Sequence, residues 1–564
     1  MLVNIIIDGK EYEVKSEETI LSICLKLGIF VPHLCFLKNH VPLGRCRMCV
    51  VETENNTLSL GCMTYPRDGM VIKTNSEIVL KSRKETLKKI LEHHTITCLN
   101  CHKSGSCKLQ VYSSKIYDSN ELLNLNLDQK NIMKDEFKSI GTNIHFNISK
   151  CIFCGRCTSL LNKICQINIK NIEKAELHDD FNDLSCNIID VCPTAALKDD
   201  HLEYYQTNPT LISQTSHDYE NIYARKFEIS KFNDKIVKIS SVDGKWIRNS
   251  IRQYPTLIEH DRSLIDKNNN LFYEYVDKIV DTIKSRSKNI KAFFLGDFLD
   301  IQTILYIDYL VSKINNGVIV VDNHNTPQDI IKTSGLPSII SMKKIEYAII
   351  LGAEKISDII YLIDNMTHLK KYENIKDMTN FSINQNEFIS PSIFVYTNVF
   401  ENMSRETLNN FIENIQKFCK NKVEIFYIPR NTTELYLKYI KNFIYIDEFM
   451  QNHNKHDVDF LYVAENTNYD KFDTNEMDII YHGYRKPANN IQNLTFIQSK
   501  SPLENVGYFM NIYNKFYNIQ NIIESETKSS RDFIIEIFKR IFNDNYNIIL
   551  KDIHNSIRDI LSNN

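Results

Sequence analysis

Fourteen of the fifteen cysteines in this chain lie at or before Cys192, and residues 193–418 contain none. A chain that crowds thiols into Cys-x-x-Cys spacings must fold that part around disulfides or around metal. No basic segment followed by a short apolar one opens the sequence, so the thiols read as metal ligands in a reducing compartment. At 564 residues the chain exceeds one hydrophobic core and implies three or four domains. Its 43% hydrophobic and 24% charged content is that of a globular protein without long disorder. A net charge of −3 with no block of like charges argues against nucleic acid and for protein partners. The apolar stretch around Tyr347–Ala353 is strand-sized, and no run reaches the roughly 18 residues of a membrane span. An Arg- and Ser-rich presequence is missing, which fits a bacterial, organelle-encoded or processed chain.

Leu2–Ile7 reads as an apolar strand, Asp8-Gly9 as a hairpin turn and Glu11–Val14 as the returning strand. Ile20, Ile23, Cys24 and Leu27 then recur with helical period, and Gly28 ends that helix. Two strands and a packed helix suggest a β-grasp domain, with Cys24 a small core hydrophobe. Cys35, Cys46, Cys49 and Cys62 follow with ten, two and twelve residues between them. Four thiolates in a tight loop hold a [2Fe–2S] cluster, and Gly44–Cys49 suits a loop whose amides face its sulfides. A structural zinc site is the rival reading, and the β-grasp context favours the cluster.

Residues 80–93 read as a basic amphipathic helix with Leu80, Leu87, Ile90 and Leu91 inward. Its end delivers His94, Cys98, Cys101 and Cys107, with three, two and five residues between them, and Ser104-Gly105-Ser106 supplies a turn. One imidazole and three thiolates suit zinc or a [4Fe–4S] cluster equally on spacing alone. Neighbouring cluster motifs favour the latter. His93 and His102 compete for the imidazole role, although solvated surface histidines are the plainer reading of both. Cys151, Cys154 and Cys157 form a bacterial-ferredoxin-like triplet with Gly155 at the turn. A fourth ligand is Cys165, after a gap of seven residues, or Cys192, which carries the Cys-Pro signature after a gap of 34 residues. Cys192 is favoured, and Cys186 is read as structural.

The ten-two-twelve cysteine pattern followed by His-x3-Cys-x2-Cys-x5-Cys resembles the large iron–sulfur subunit, of the 75 kDa type, of respiratory complex I, NADH:quinone oxidoreductase. Gly44–Cys49, Asp68–Met70, Thr74–Ser76 and Gly105–Gln110 match its phrases closely. Ser106 and Lys108 depart from it, standing where the family usually has acidic residues. The distant Cys192-Pro193 also matches, with a shorter gap. Iron-only hydrogenases and NAD-linked formate dehydrogenases share this front end. The resemblance implies an electron carrier working between a flavin- and NADH-binding subunit and quinone-side iron–sulfur subunits. It implies a site peripheral to the matrix face of the mitochondrial inner membrane, or to the cytoplasmic face of a bacterial one.

From residue 291 the texture changes to alternating strands and helices: Ala292–Leu295, Val318–Val321, Tyr347–Leu351, Ile393–Tyr396, Val423–Ile428 and Phe460–Val463. That alternation implies a parallel doubly wound sheet. This half resembles the degenerate molybdopterin-oxidoreductase-like portion of the same subunit. Glu504–Tyr508 is similar to a pterin-family segment, while Tyr513-Asn514-Lys515 replaces its usual Glu-Gly-Arg. Gly296-Asp297 and Gly352-Ala353 follow strands, yet neither forms a dinucleotide or P-loop motif. Cys419, the one cysteine here, falls in the helical pattern Asn409–Lys420 and reads as buried.

The expected architecture is therefore multidomain α+β and α/β. Residues 1–78 form a β-grasp ferredoxin domain, 79–118 a [4Fe–4S] domain with one histidine and three cysteine ligands, 119–214 a ferredoxin-like domain and 215–564 a scaffold. The expected cofactors are one [2Fe–2S] and two [4Fe–4S] clusters, without flavin or molybdopterin. A self-contained hydrogenase or formate dehydrogenase is the alternative, and a zinc-stapled interaction protein a third class.

Overall fold

The computed structural model describes residues 2–38, 40–127, 135–141, 144–165, 172, 186–199, 211–232, 235–242, 247, 251–252, 270–285, 287–322, 330, 345–353, 359, 362, 369, 371–375, 391–401, 403–417, 419, 422–429, 431–465, 478–483, 493–501, 503–512, 515–522 and 527–562. Trp246, Tyr513, Asn514 and the side chain of Cys165 lie outside them. The chain forms two compact units, Met1–Gln214 with Glu228–Gln253, and Thr215–Phe227 with Tyr254–Asn564.

The first unit opens with the antiparallel strands Leu2–Ile7 and Lys10–Lys15, in register from Leu2↔Lys15 to Ile7↔Lys10. Asp8 and Gly9, at φ 51° and 81°, give the turn whose twist matches its strands. Met70–Ile72 joins Leu2–Ile7 in parallel and completes a three-stranded sheet. The helix Ile20–Lys26 starts where the Thr19 hydroxyl accepts from the Ser22 amide. It ends at Gly28, φ 72°, where Ile29 N–H donates to Cys24 O at 2.8 Å and Gly28 N–H to Leu25 O at 3.3 Å. Ile20, Leu21, Ile23 and Cys24 bury against Ile5, Ile7 and Ile72, each aliphatic side chain contributing roughly 1.5–3 kcal/mol.

The next helix, Glu77–Glu92, turns Leu87 and Leu91 inward and packs Ile90 against the core as its sequence suggested, but begins its inner stripe one residue earlier. Val79, Arg83, Leu87 and Leu91 are buried, whereas Leu80 is exposed. The four-residue spacing of the inner stripe carries a guanidinium inside, and Arg83 Nη2 meets the burial cost by donating to Val50 O at 2.7 Å.

Cutting the chain once after residue 214 does not reproduce the two units, because Glu228–Gln253 returns to the first. The cause is a set of buried polar bonds onto the helix Asn187–Val191. The Asn187 amide group donates to Ile247 O at 2.8 Å and accepts from Ile247 N–H at 3.1 Å. Asp190 accepts from Ser241 N–H at 2.9 Å and pairs with Arg252 at 2.5 Å.

The second unit holds two parallel sheets where the alternation pattern suggested one. In the larger, the neighbours in order are Ile444–Tyr445, Gly317–Val321, Ile290–Leu295, Val458–Ala464, Ile479–Gly483 and Leu494–Gln498. In the smaller they are Lys371–Ile375, Tyr347–Leu351, Ser392–Tyr396 and Glu424–Ile428. Helices Asn270–Lys284, Ile301–Lys313, Ser530–Phe542 and Tyr546–Ser562 contribute to an aromatic-rich core on the larger sheet. The helix before Cys419 is Arg405–Gln416, so this thiol lies beyond its end and is half-buried, not enclosed.

The strand order of the larger sheet reverses between Ile290–Leu295 and Val458–Ala464, the place where open α/β sheets bind ligands. Side chains of the unit fill that point. Asn431 donates to Asp297 at 2.6 Å, the Thr433 hydroxyl to Gly296 O, and the Ser530 and Ser499 hydroxyls to Glu465. A Cβ on Gly296 would come within 2.1 Å of Ala464 O. Among the described residues no helix is long and apolar enough to cross a membrane.

Candidate metal centres

Three groups of potential ligands lie in the first unit, each on a different local frame. In the first group Cys35, Cys46, Cys49 and Cys62 are all buried. Their sulfurs interact in two pairs. A thiol hydrogen bond from Cys46 brings Cys35 down to about 6 and raises Cys46. The same arrangement lowers Cys62 and raises Cys49. Gly44 and Arg47 sit at φ 61° and 54°, curling the loop so that its amides face inward. Leu34 N–H donates to Cys46 Sγ at 3.3 Å, Cys46 N–H to Cys35 Sγ at 3.5 Å, and the amides of Arg45, Met48 and Gly44 also reach these sulfurs. Such donors stabilise negative charge on sulfur. Arg83 lies in the field of Cys49 and Cys24, and burial holds its guanidinium down to about 10.

The second group follows the helix Glu77–Glu92. His94 is buried, and burial first, then the Lys150 ammonium, holds its imidazole down to about 4. It is therefore neutral at pH 7, the form in which imidazole ligates metal. His93 is exposed, with Nδ1 2.9 Å from Lys89 O. His102 is half-buried, with Nε2 3.3 Å from Leu197 O. Burial raises Cys98 and Cys107, and the charge of Cys101 adds to both.

In the third group the loop Cys151–Cys157 turns through Phe153 and Gly155, at φ 51° and 77°. Burial pushes Cys154 up to about 12 and raises Cys157 well above the usual thiol range, and in each case Cys192 is the next cause. Cys192 thus sits with the triplet. Its helix is the one that Ile247 and Arg252 hold. The Thr194 hydroxyl approaches Cys192 Sγ at 3.7 Å and donates to Lys150 O at 2.8 Å.

The groups are joined to one another. Thr95 N–H donates to Ser149 O at 2.9 Å, and Lys108 N–H to Pro193 O at 3.0 Å, so the second group is tied at both ends to the third. Cys35, Cys46, Cys107 and Cys154 share one apolar core with Leu34, Met48, Leu87 and Tyr112. Sequence reasoning missed the buried cations Arg83, Lys103, Lys150 and Arg156. Their position in or beside ligand motifs was the signal available. Among the described residues no three His, Cys, Asp or Glu side chains group as they would around one ion.

Residues 1–77 match the model of the 2Fe-2S iron-sulfur cluster binding domain, and residues 83–116 that of the NADH-ubiquinone oxidoreductase-G iron-sulfur binding region. An NADH-quinone oxidoreductase subunit of Rickettsia typhi is 25% identical over 380 residues, 62% of this chain and 55% of that protein. The NADH-ubiquinone oxidoreductase 75 kDa subunit of Reclinomonas americana is 26% identical over 355 residues, 58% of this chain and 50% of that one. The chain spans about half the length of several curated relatives it matches. A solved NAD+-reducing [NiFe]-hydrogenase chain is similar at 20% identity and a TM-score of 0.29, over 35% of this chain and 87% of that chain.

Proposed function

We propose that this chain is a 75 kDa-type iron–sulfur subunit of an NADH-quinone oxidoreductase, like the relatives it resembles, and relays electrons within a respiratory complex I. The observation that carries the reading is the shared core of Cys35, Cys46, Cys107 and Cys154, which draws on all three ligand groups. Carriers that exchange electrons must lie close together in a water-excluded medium, and one apolar core provides both conditions.

The [2Fe–2S] ligands are Cys35, Cys46, Cys49 and Cys62 in a β-grasp domain. His94, Cys98, Cys101 and Cys107 hold one [4Fe–4S] cluster, and Cys151, Cys154, Cys157 and Cys192 the other. When bound, these clusters supply one-electron carriers. The protein orients the ligands, keeps His94 neutral, excludes water with Leu34, Met48 and Leu87, and directs loop amides at sulfur. Arg83 offsets thiolate charge beside Cys49.

Electrons enter from a flavin subunit that oxidises NADH and leave toward quinone-side iron–sulfur subunits. The complex lies against the matrix face of the mitochondrial inner membrane or the cytoplasmic face of a bacterial one. The second unit is a molybdopterin-oxidoreductase-like scaffold without pterin or nucleotide. The self-filled point around Gly296 and Glu465 supports that role, because its polar groups are spent on one another.

Metal analysis and redox-poised EPR of anaerobically purified protein test the proposal. About ten irons with matching sulfide and three reducible signals are expected. Zinc in a colourless protein would sink the reading, and stoichiometric molybdenum with pterin would replace the scaffold by an enzyme. His94→Cys should retain its cluster at a lower potential, since thiolate adds charge where imidazole has none. An unchanged potential would remove His94 from the ligand set. Cys192→Ala should lose one cluster's iron and Cys165→Ala none; the opposite result reverses that assignment.

A further inference from the structure

Beside Cys192 the first unit carries a half-open pocket of about 210 Å³, whose described lining includes Lys103, Lys108, Arg156, Lys238, Asp190 and Ser240. The four cations come from three separate places in the chain: Lys103 and Lys108 on either side of Cys107, Arg156 at the start of its helix, and Lys238 in the strand Lys235–Ser241. Asp190 balances them only in part: it faces Lys238, but its carboxylate is bonded by Arg252 at 2.5 Å and by Ser241 N–H at 2.9 Å. Lys103 is fixed in place, donating to Ile189 O at 2.9 Å and Cys192 O at 2.5 Å. Arg156 is 8% exposed, and its Nε is buried with no hydrogen-bond partner among the described residues.

Cations gathered around one pocket, of which Lys103 and Arg156 are buried, repel one another, and an anion between them relieves that repulsion. Cations arriving from three directions suit an anion whose oxygens point several ways. We infer that this cavity binds one inorganic tetrahedral oxyanion of the phosphate class. Its volume leaves room for a few accompanying waters, at about 30 Å³ each. The site adjoins both cysteine groups proposed to hold [4Fe–4S] clusters, through Lys108 beside Cys107 and through Cys192 itself. A bound dianion adds negative charge there and lowers the potentials of both clusters. This last consequence rests on the proposed cluster assignment; the binding site does not.

The test is calorimetric titration of the full cluster-loaded chain with inorganic phosphate, against chloride at matched ionic strength. One saturable site for phosphate alone is expected. Lys108→Gln and Lys238→Gln should each weaken it at least about tenfold, the loss of one charge-assisted hydrogen bond. Lys10→Gln, on the exposed hairpin, should leave it unchanged. Heats that chloride reproduces, or affinity that survives both glutamine changes, would overturn the site. Redox-poised EPR is the second arm: phosphate should lower both [4Fe–4S] midpoints more than that of [2Fe–2S]. Saturable binding lost in both variants without any potential shift would uphold the site and count against the cluster assignment beside it.

Discussion

Among the largest fully buried side chains, Arg83 alone belongs to the first unit, whereas Phe293, Phe294, Phe394, Phe449, Phe509, Tyr306, Tyr436 and Tyr462 belong to the second. The first unit combines strands of three to seven residues with buried thiols, and much of what it encloses is polar or charged. The second packs two parallel sheets with aromatic side chains and closes its polar groups on one another. One unit is organised around what it holds, and the other around its own apolar interior. A large cysteine-poor region can therefore keep its shape on apolar packing and internal polar bonds alone.

The largest effect should follow from removing iron. Anaerobic chelation should cost the first unit most of its stability, because ligand binding and folding share one free energy. The second should keep its slow amide exchange. Equal loss of protection in both units, followed by hydrogen-exchange mass spectrometry, would break the contrast.

Phe533→Ala probes the opposite side. Phe533 is fully buried, stacks on Tyr462 at 5.0 Å and meets Phe272 edge-on at 5.2 Å. Its loss should cost about 3–5 kcal/mol in urea unfolding of the second unit. Iron content should not change. Asp190→Ala is of similar size, roughly 3–5 kcal/mol, because it leaves Arg252 buried without its partner. That cost should fall on the first unit and lower the iron held by the Cys192 group. Adding Arg252→Met should recover much of it, and an undiminished loss in the double variant would show that the pair does more than balance charge.

Acid should weaken both units, since burial holds His94 in the first and His482 in the second alike at about 4. His482 is fully buried, with Nδ1 3.0 Å from Tyr462 Oη, and burial lowers it from 6.5 to about 4. The unfolded chain binds this proton more readily, so stability falls as pH drops from about 6.5 toward 4, by about 3 kcal/mol at most. His482→Gln should flatten that slope in a pH series of melting temperatures. The smallest change is expected from Gly155→Ala. At φ 77° an alanine is strained, and its Cβ would come within 2.7 Å of Arg45 Nη1. A cost of about 1–2 kcal/mol is expected, read as a lower melting temperature of the first unit alone.

Local features were legible in the sequence. Asp8-Gly9 and Gly28 act within four residues of themselves, and each sits where its turn chemistry requires. The cysteine spacings were legible for the same reason, since most ligands of a group lie within one loop. Arg83 was not, because choosing between Val79 and Leu80 as the start of the inner stripe depends on what the helix packs against. The strands Lys371–Ile375, Ile479–Gly483 and Leu494–Gln498 were missed as well. Lys371–Ile375 and Leu494–Gln498 lie at sheet edges, and their polar residues hide the apolar run that marks a central strand. The return of residues 228–253 left no local trace, since Asn187 and Ile247 recognise each other across 60 positions.

That embrace of Asn187 by Ile247 also sets an order of manufacture. Synthesis runs from the N-terminus, so Cys62 completes its group early, before the helix beginning at Glu77 has emerged. Cys192 reaches the ribosome exit well before Ile247 and Arg252, and until they follow, its helix lacks the bonds that fix it. On the proposed ligand assignment the Cys192 group is then the last to be completed, and a nascent chain that ends before residue 247 carries all four cysteines of the first group beside a third whose Cys192 helix lacks those bonds.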